Sequence, residues 1–141
     1  MTPKQHYDYD VAISYAGEDS GYADALANAL LNHGVKVFYA PLEQANLLGE
    51  NLYDYLTDLY HKRARYCVMF LSQHYAAKLW TNLERQAAQA RAFQENKVYI
   101  LPVRLDDTEI PGILPTIAYV RCPPMTADSL ADIIIAKLAK P

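Results

Sequence analysis

The sequence predicts a doubly wound α/β fold: a five-stranded parallel sheet in the order 2-1-3-4-5, with helices on both faces. Three observations predict it. Short apolar runs rich in Val, Ile, Tyr and Phe alternate with segments of helical periodicity, which points to a parallel sheet with crossover helices. One run, YCVMFLS at 66–72, is almost continuously apolar, as befits a central strand covered on both faces. The chain has 141 residues, 52% of them hydrophobic, enough to bury a sizeable core within one domain spanning 1–141.

The elements follow in order. YDVAISY at 9–15 reads as the first strand. Asp19 or Ser20 can cap a helix running to about Asn32, with Leu26, Leu30 and Leu31 on its apolar side and Gly34 as its stop. VKVFYA at 35–40 is the second strand, ended by Pro41, and the loop LEQANLLG leads to Gly49. Leu52, Leu56, Leu59 and Tyr60 fall at helical spacing and predict a helix over about 50–63. The strand at 66–72 follows, then a helix reaching about Glu95. KVYILPV at 97–103 is the fourth strand, whose Pro102 suggests a strand end or an edge. The polar loop RLDDTEIPGILP leads to a short fifth strand near 118–122. Pro123 and Pro124 break the chain before a last helix over about 128–140, which stacks Leu130, Ile134 and Leu138. Right-handed crossovers between these strands favour the flavodoxin-like arrangement and its strand order.

Composition excludes several function classes. The net charge is −3 and the pI about 5.7, which is no footprint for nucleic acid or an anionic membrane. No apolar run approaches the roughly 20 residues that span a bilayer, and MTPKQHYDYD lacks the apolar core of a signal peptide. Cytoplasmic residence is the resulting expectation, with Cys67 and Cys122 as two buried thiols. His6, His33, His61 and His74 show no metal-ligand spacing, and His33 and His61 suit predicted helix C-termini. There is no G-x-G-x-x-G, P-loop or G-x-S-x-G element. A phosphorylated receiver domain would want acidic residues where the first and third strands end, and Ser14 and Ser72 stand there instead.

In this fold class, ligands bind at the carboxyl ends of the strands where the strand order reverses. That selects the loops after strands one and three. The first supplies Ser14 and Tyr15, and the second begins at Ser72 and delivers Trp80 and Glu84 to the same crevice. Asp106 and Asp107 read as a solvated loop. Thr81-Asn82-Leu83-Glu84 also fits a capping box, which gives Glu84 a purely structural alternative. If the helix begins by Leu79, Trp80 and Glu84 share one face, a turn apart. If Thr81 is the cap, Trp80 precedes the helix and has no apolar staple partner, since Arg85 occupies the partner position.

These residues have a family resemblance. YDVAISYAGED resembles the first-strand motif of TIR (Toll/interleukin-1 receptor) domains. VKVFYAPLEQANLLGENL resembles their second strand and BB loop, and CVMFLSQHYAAKLWTNLE their third strand with its Trp-x-x-x-Glu element. KVYILPVRLDD and IAYVRC match the remainder. The resemblance implies either an enzyme that cleaves NAD⁺, as in the prokaryotic branch, or a non-catalytic assembly domain. In the enzymatic members the glutamate of that element is catalytic, and Glu84 is the residue that matches. Ser14, Tyr15, Ser72 and Trp80, placed at the crevice by topology, with Leu48 and Gly49 of the matching BB loop, are the substrate-binding candidates. Self-association through the BB loop, about 41–49, and immune, anti-phage signalling are likewise implied. NAD⁺ would be the substrate, with no separate cofactor and no metal. Thr81 departs from the cysteine that many enzymatic members carry after the tryptophan.

The chemistry is sensible for one carboxylate. Glycosidases use two, one to protonate the leaving oxygen. Nicotinamide leaves NAD⁺ as a neutral base, so no general acid is required. The remaining demand is stabilisation of a ribose that becomes oxocarbenium-like. A fixed anion beside it can contribute about 2.7–4 kcal/mol, by comparison with oxyanion-hole donors. A Trp or Tyr face attracts the pyridinium by roughly 0.5–2 kcal/mol. A deoxyribosyltransferase-like enzyme, with similar fold and N-glycosidic chemistry, is a third reading.

Overall fold

The computed structural model describes residues 7–51, 54–55, 58–80, 100–110 and 117–140. The strands are β1 (Tyr9–Ser14), β2 (Val37–Phe38), β3 (Ala64–Leu71), β4 (Ile100–Arg104) and β5 (Val120–Arg121). The helices are α1 (Ser20–Asn32), the single turn α2 (Gln44–Leu47), α3 (Gln73–Trp80) and α4 (Ala127–Leu138). All five strands are parallel and lie in the order β2-β1-β3-β4-β5, so the predicted topology is the observed one.

Side chains alternate across a strand, and this alternation builds two core layers. Val11 and Ile13 of β1, Val68 and Phe70 of β3 and Val103 of β4 face one way. There α1 and α4 cover them with Leu26, Leu30, Leu130 and Ile134. Cys67, Met69 and Leu71 face the other way, beneath Tyr75 and Ala76 of α3 and with Ile110. Ala12, on that side, clusters with Phe38, Leu59 and Ala64. Helices therefore pack on both faces.

Several boundaries move for physical reasons. The ladder of β2 spans only Val37–Phe38, because the Lys36 carbonyl accepts both Asp10 N–H and Val11 N–H and the chain turns into a 3-10 turn at Ala40–Leu42. The predicted loop after Pro41 contains that turn and α2. Residues 54, 55 and 58 are helical, as expected within 50–63, and Leu59–Arg63 form a π-helical turn that leads directly into β3. β3 starts earlier than expected, since Ala64 already pairs with Tyr9. Pro102 lies inside β4, opposite Met69, and not at its end. Among the described residues β5 pairs only with Val103 and Arg104, so the sheet is open beside Pro102 and its missing N–H costs no bond there. The start of the predicted fourth strand at 97–99 lies outside the described residues. Gly34 closes α1 with φ +76°, a left-handed conformation that favours glycine.

The two cysteines are free and buried. Burial pushes the Cys67 thiol up to about 12 and raises that of Cys122, which suits inert core thiols. His33 Nδ1 donates to the Ala29 carbonyl (2.8 Å), the structural role its position near a helix end suggested. Among the described residues no group of acidic, Cys or His side chains could hold a metal ion, and no helix is long and apolar enough to cross a membrane.

Candidate functional site

The carboxyl ends of β1 and β3 are joined by a chain of hydrogen bonds. Ser72 follows β3 and caps α3: its Oγ accepts the Tyr75 N–H (3.1 Å), and its carbonyl accepts the Ala76 N–H (3.0 Å). The same Ser72 hydroxyl donates to Asp19 Oδ2 at 2.5 Å. Tyr75 reaches back to β1, where its phenol oxygen lies 2.7 Å from Ser14 Oγ. Ser72 is 2% exposed and Asp19 8%, so the Ser72–Asp19 bond is buried, while the Tyr75–Ser14 end of the linkage is part-buried.

Two further carboxylates meet the first turn of α3. Asp106, in the loop after β4, accepts the Gln73 N–H (2.9 Å) and the Thr108 N–H (2.9 Å). Burial alone would raise its pKa, but these N–H donors, the Thr108 side chain and nearby His74 outweigh burial and hold it below the usual carboxylate range. Glu18 lies 3.2 Å from His74 Nδ1. Glu18, Asp19 and Asp106 thus surround the positive end of the α3 dipole, where negative charge is favourable. Asp106 lies in a half-exposed loop, as its sequence setting suggests, and from there it also caps α3, a role the sequence did not assign it. Asp107, beside it, pairs with Arg121.

The sequence-predicted residues fall into separate groups. Ser14 and Ser72 meet around Tyr75. Tyr15 turns the other way and packs on Tyr39, with ring centroids 5.5 Å apart. Tyr39 is buried and donates to Asp24 of α1; burial first, then the contacts with Asp24 and Tyr15, raise its phenol. Leu48 and Gly49 lie in the loop beyond α2, Leu48 88% exposed and Gly49 with φ +87°. The loop is held at its base by Glu43, which accepts from Tyr9 (3.3 Å) and Asn46 (2.6 Å). Burial, followed by Glu43, pushes the Tyr9 phenol up to about 12. Trp80 is the eighth residue of α3 and already helical, in accord with a helix that begins before Leu79. Thr81 and Glu84 lie outside the described residues.

A cavity of about 410 Å³ lies on the opposite sheet face, between α1 and α4, lined by Tyr22, Leu26, Phe70, Met125 and Leu130 among others. Ser14, Ser72 and Tyr75 do not line it, whereas Glu18, which meets His74 of α3, does, so the cavity borders the switch-point residues at Glu18.

Tyr75 and Asp19 went unnoticed as partners in the sequence. Tyr75 had a local signal: it stands three residues after a serine that ends a strand, the spacing of a cap and its target. Asp19 and Asp106 had none, because their contacts span 53 and 33 residues.

Comparison with known proteins bears on the same region. A family model described as a TIR domain matches residues 11–134. The chain is 56% identical over 134 residues to the 3′ cyclic ADP-D-ribose synthase AaTIR of Aquimarina amphilecti, covering 95% of this chain and 41% of that protein. It is 31% identical over 104 residues to the NAD(+) hydrolase TcpC of Escherichia coli, covering 73% of this chain and 33% of that one. Among solved structures, a metazoan TIR-STING receptor from C. gigas in complex with 2′,3′-cGAMP superposes with a TM-score of 0.71 at 22% identity, over 99% of this chain and 42% of its own. The chain thus spans less than half the length of each of these proteins.

Proposed function

The chain belongs to the TIR domain family, and on that premise we propose that it cleaves the nicotinamide–ribose bond of NAD⁺ and releases nicotinamide with ADP-ribose or a cyclic isomer. The observation that carries this reading is the 56% identity, across 95% of this chain, to a protein named as a cyclic ADP-D-ribose synthase. The position of α3 agrees with it. This helix starts at the carboxyl edge of the central strand, at the switch point, and its first turn is pinned there by Ser72, Asp106 and Tyr75.

Glu84 is the proposed catalytic carboxylate. Its charge opposes the positive charge that grows on the ribose as neutral nicotinamide departs. Attack by water gives ADP-ribose, and attack by a hydroxyl of the same molecule gives a ring. Trp80 is proposed to offer the pyridinium an aromatic face. Ser14 and Tyr15 stand at the end of β1 on opposite sides of the strand, where each can border the crevice.

Self-association through the loop at 41–49 is proposed as part of this activity, the partner being a second copy of the domain. Leu42 and Leu48 support it: they are 62% and 88% exposed on a segment whose base is tied down by Glu43 and Tyr39. Cytoplasmic residence and a role in anti-phage signalling complete the proposal. Glu84→Gln tests it, since glutamine keeps the size of the side chain and one acceptor oxygen and removes its charge. Nicotinamide release should collapse while the fold persists; equal release by parent and variant would refute the catalytic assignment.

A further inference from the structure

Asp19 occupies the residue before α1, where an aspartate ordinarily accepts hydrogen bonds from the first-turn N–H groups of its own helix. It makes no such bond. Its carboxylate is buried at 8% exposure and accepts the hydroxyl proton of Ser72, 53 residues away in sequence. A buried carboxylate is costly unless its hydrogen bonds are made, so its diversion from its own helix calls for a reason.

The hydroxyl chemistry of Ser72 supplies one. A serine has one O–H and two lone pairs, and its proton rotates to suit its surroundings. Donation to Asp19 fixes that proton and leaves a lone pair directed at the Tyr75 N–H (3.1 Å). Tyr75 is in turn fixed at its far end, its phenol oxygen 2.7 Å from Ser14 Oγ. One residue in the first turn of α3 is thereby held by its backbone to the end of β3 and by its side chain to the end of β1. Asp19 is the charged terminus of this linkage, and the turn Gly17–Asp19 anchors it through the Asp19 N–H to the Ala16 carbonyl (2.8 Å).

We propose that Asp19 is a positioning residue: by holding the Ser72 hydroxyl as a hydrogen-bond acceptor for α3, it sets where the helix that ends at Trp80, four residues before Glu84 in the sequence, leaves the sheet. The proposal rests on the NAD⁺-cleaving reading for its effect on rate, and on geometry alone for its effect on the helix. A displacement of about 1 Å at a reacting group can cost on the order of 10²-fold in rate, so loosening the first turn should act on kcat more than on substrate affinity.

The test compares Asp19→Ala and Asp19→Asn with the parent protein, by hydrogen exchange across Gln73–Trp80 and by steady-state nicotinamide release from NAD⁺. Asp19→Ala should accelerate exchange at Tyr75 and Ala76. It should lower kcat by about 10- to 100-fold, with KM changed less than about 3-fold. Asp19→Asn, whose amide oxygen still accepts the Ser72 hydroxyl, should restore both readouts to within about 3-fold of the parent. Parent-like exchange and kcat in Asp19→Ala would overturn the proposal. So would an Asp19→Asn variant as impaired as Asp19→Ala, because charge and not the held hydroxyl would then be responsible. If the parent releases no nicotinamide under any condition, the enzymatic reading fails by itself. The positioning claim is then decided by exchange at Tyr75, which must still be fast in the alanine variant and parent-like in the asparagine one.

Discussion

Ser72→Ala removes one oxygen atom and two interactions. The first is the cap on α3, whose loss costs about 1 kcal/mol in typical proteins. The second is the donor to Asp19, held at 2.5 Å in a setting where the serine is 2% and the aspartate 8% exposed. Hydrogen bonds to charged groups contribute about 1.5–3 kcal/mol, and burial leaves little water to replace the lost donor. The two together give a loss of about 2.5–4 kcal/mol. For a domain of this size each kcal/mol moves Tm by roughly 2–4 °C, so the melting point should fall by about 5–15 °C. Urea unfolding followed by circular dichroism measures the loss, and the cycle with Asp19→Ala and the double variant isolates the shared part. That coupling should be about 1.5–3 kcal/mol, because one bond is removed by either single change. A Ser72→Ala loss below about 1 kcal/mol, or single losses that simply add, would refute the account of a paired cap.

Two further predictions concern neighbouring features. The Asp106 carboxyl is held below its ordinary range, so its contribution is complete above the unfolded-state value and is lost as pH falls through the lower folded-state value. Asp106→Asn should therefore be less stable than the parent at neutral pH, and urea midpoints of the two should converge as the pH falls below the ordinary carboxylate range. Leu48 is 88% exposed, so Leu48→Asp should leave stability within about 0.5 kcal/mol of the parent. It should nonetheless abolish any steeper-than-linear dependence of NAD⁺ turnover on protein concentration, read from initial rates across a dilution series.

Much of the architecture was legible because it depends on local pattern. Leu26 and Leu30 repeat at helical spacing and are fully buried in α1, and the apolar run at 66–72 became the central strand β3. Leu130 and Ile134 stack as their spacing required. What escaped was set by distant partners. Asp19 sits where a cap should be, yet its side chain answers to Ser72 across the sheet. The capping role of Asp106 was hidden because the helix it caps begins 33 residues earlier. Of the two positions that suit Pro102, a strand end or an edge, the second is nearer the outcome: it lies inside β4 where the short β5 leaves that side open among the described residues. The candidate site divides the same way. The loops that build it followed from topology, whereas the linkage from Ser14 through Tyr75 and Ser72 to Asp19 required coordinates.

Mass spectrometry of NAD⁺ incubated with the parent protein and with Glu84→Gln, at concentrations high enough to favour assembly, tests the central claim most directly. The parent should yield nicotinamide with ADP-ribose or a cyclic isomer that differs from it in mass or retention, and the variant, still folded by circular dichroism, should yield neither. Intact NAD⁺ after incubation with the parent, or the same products from both proteins, would contradict a catalytic carboxylate at position 84.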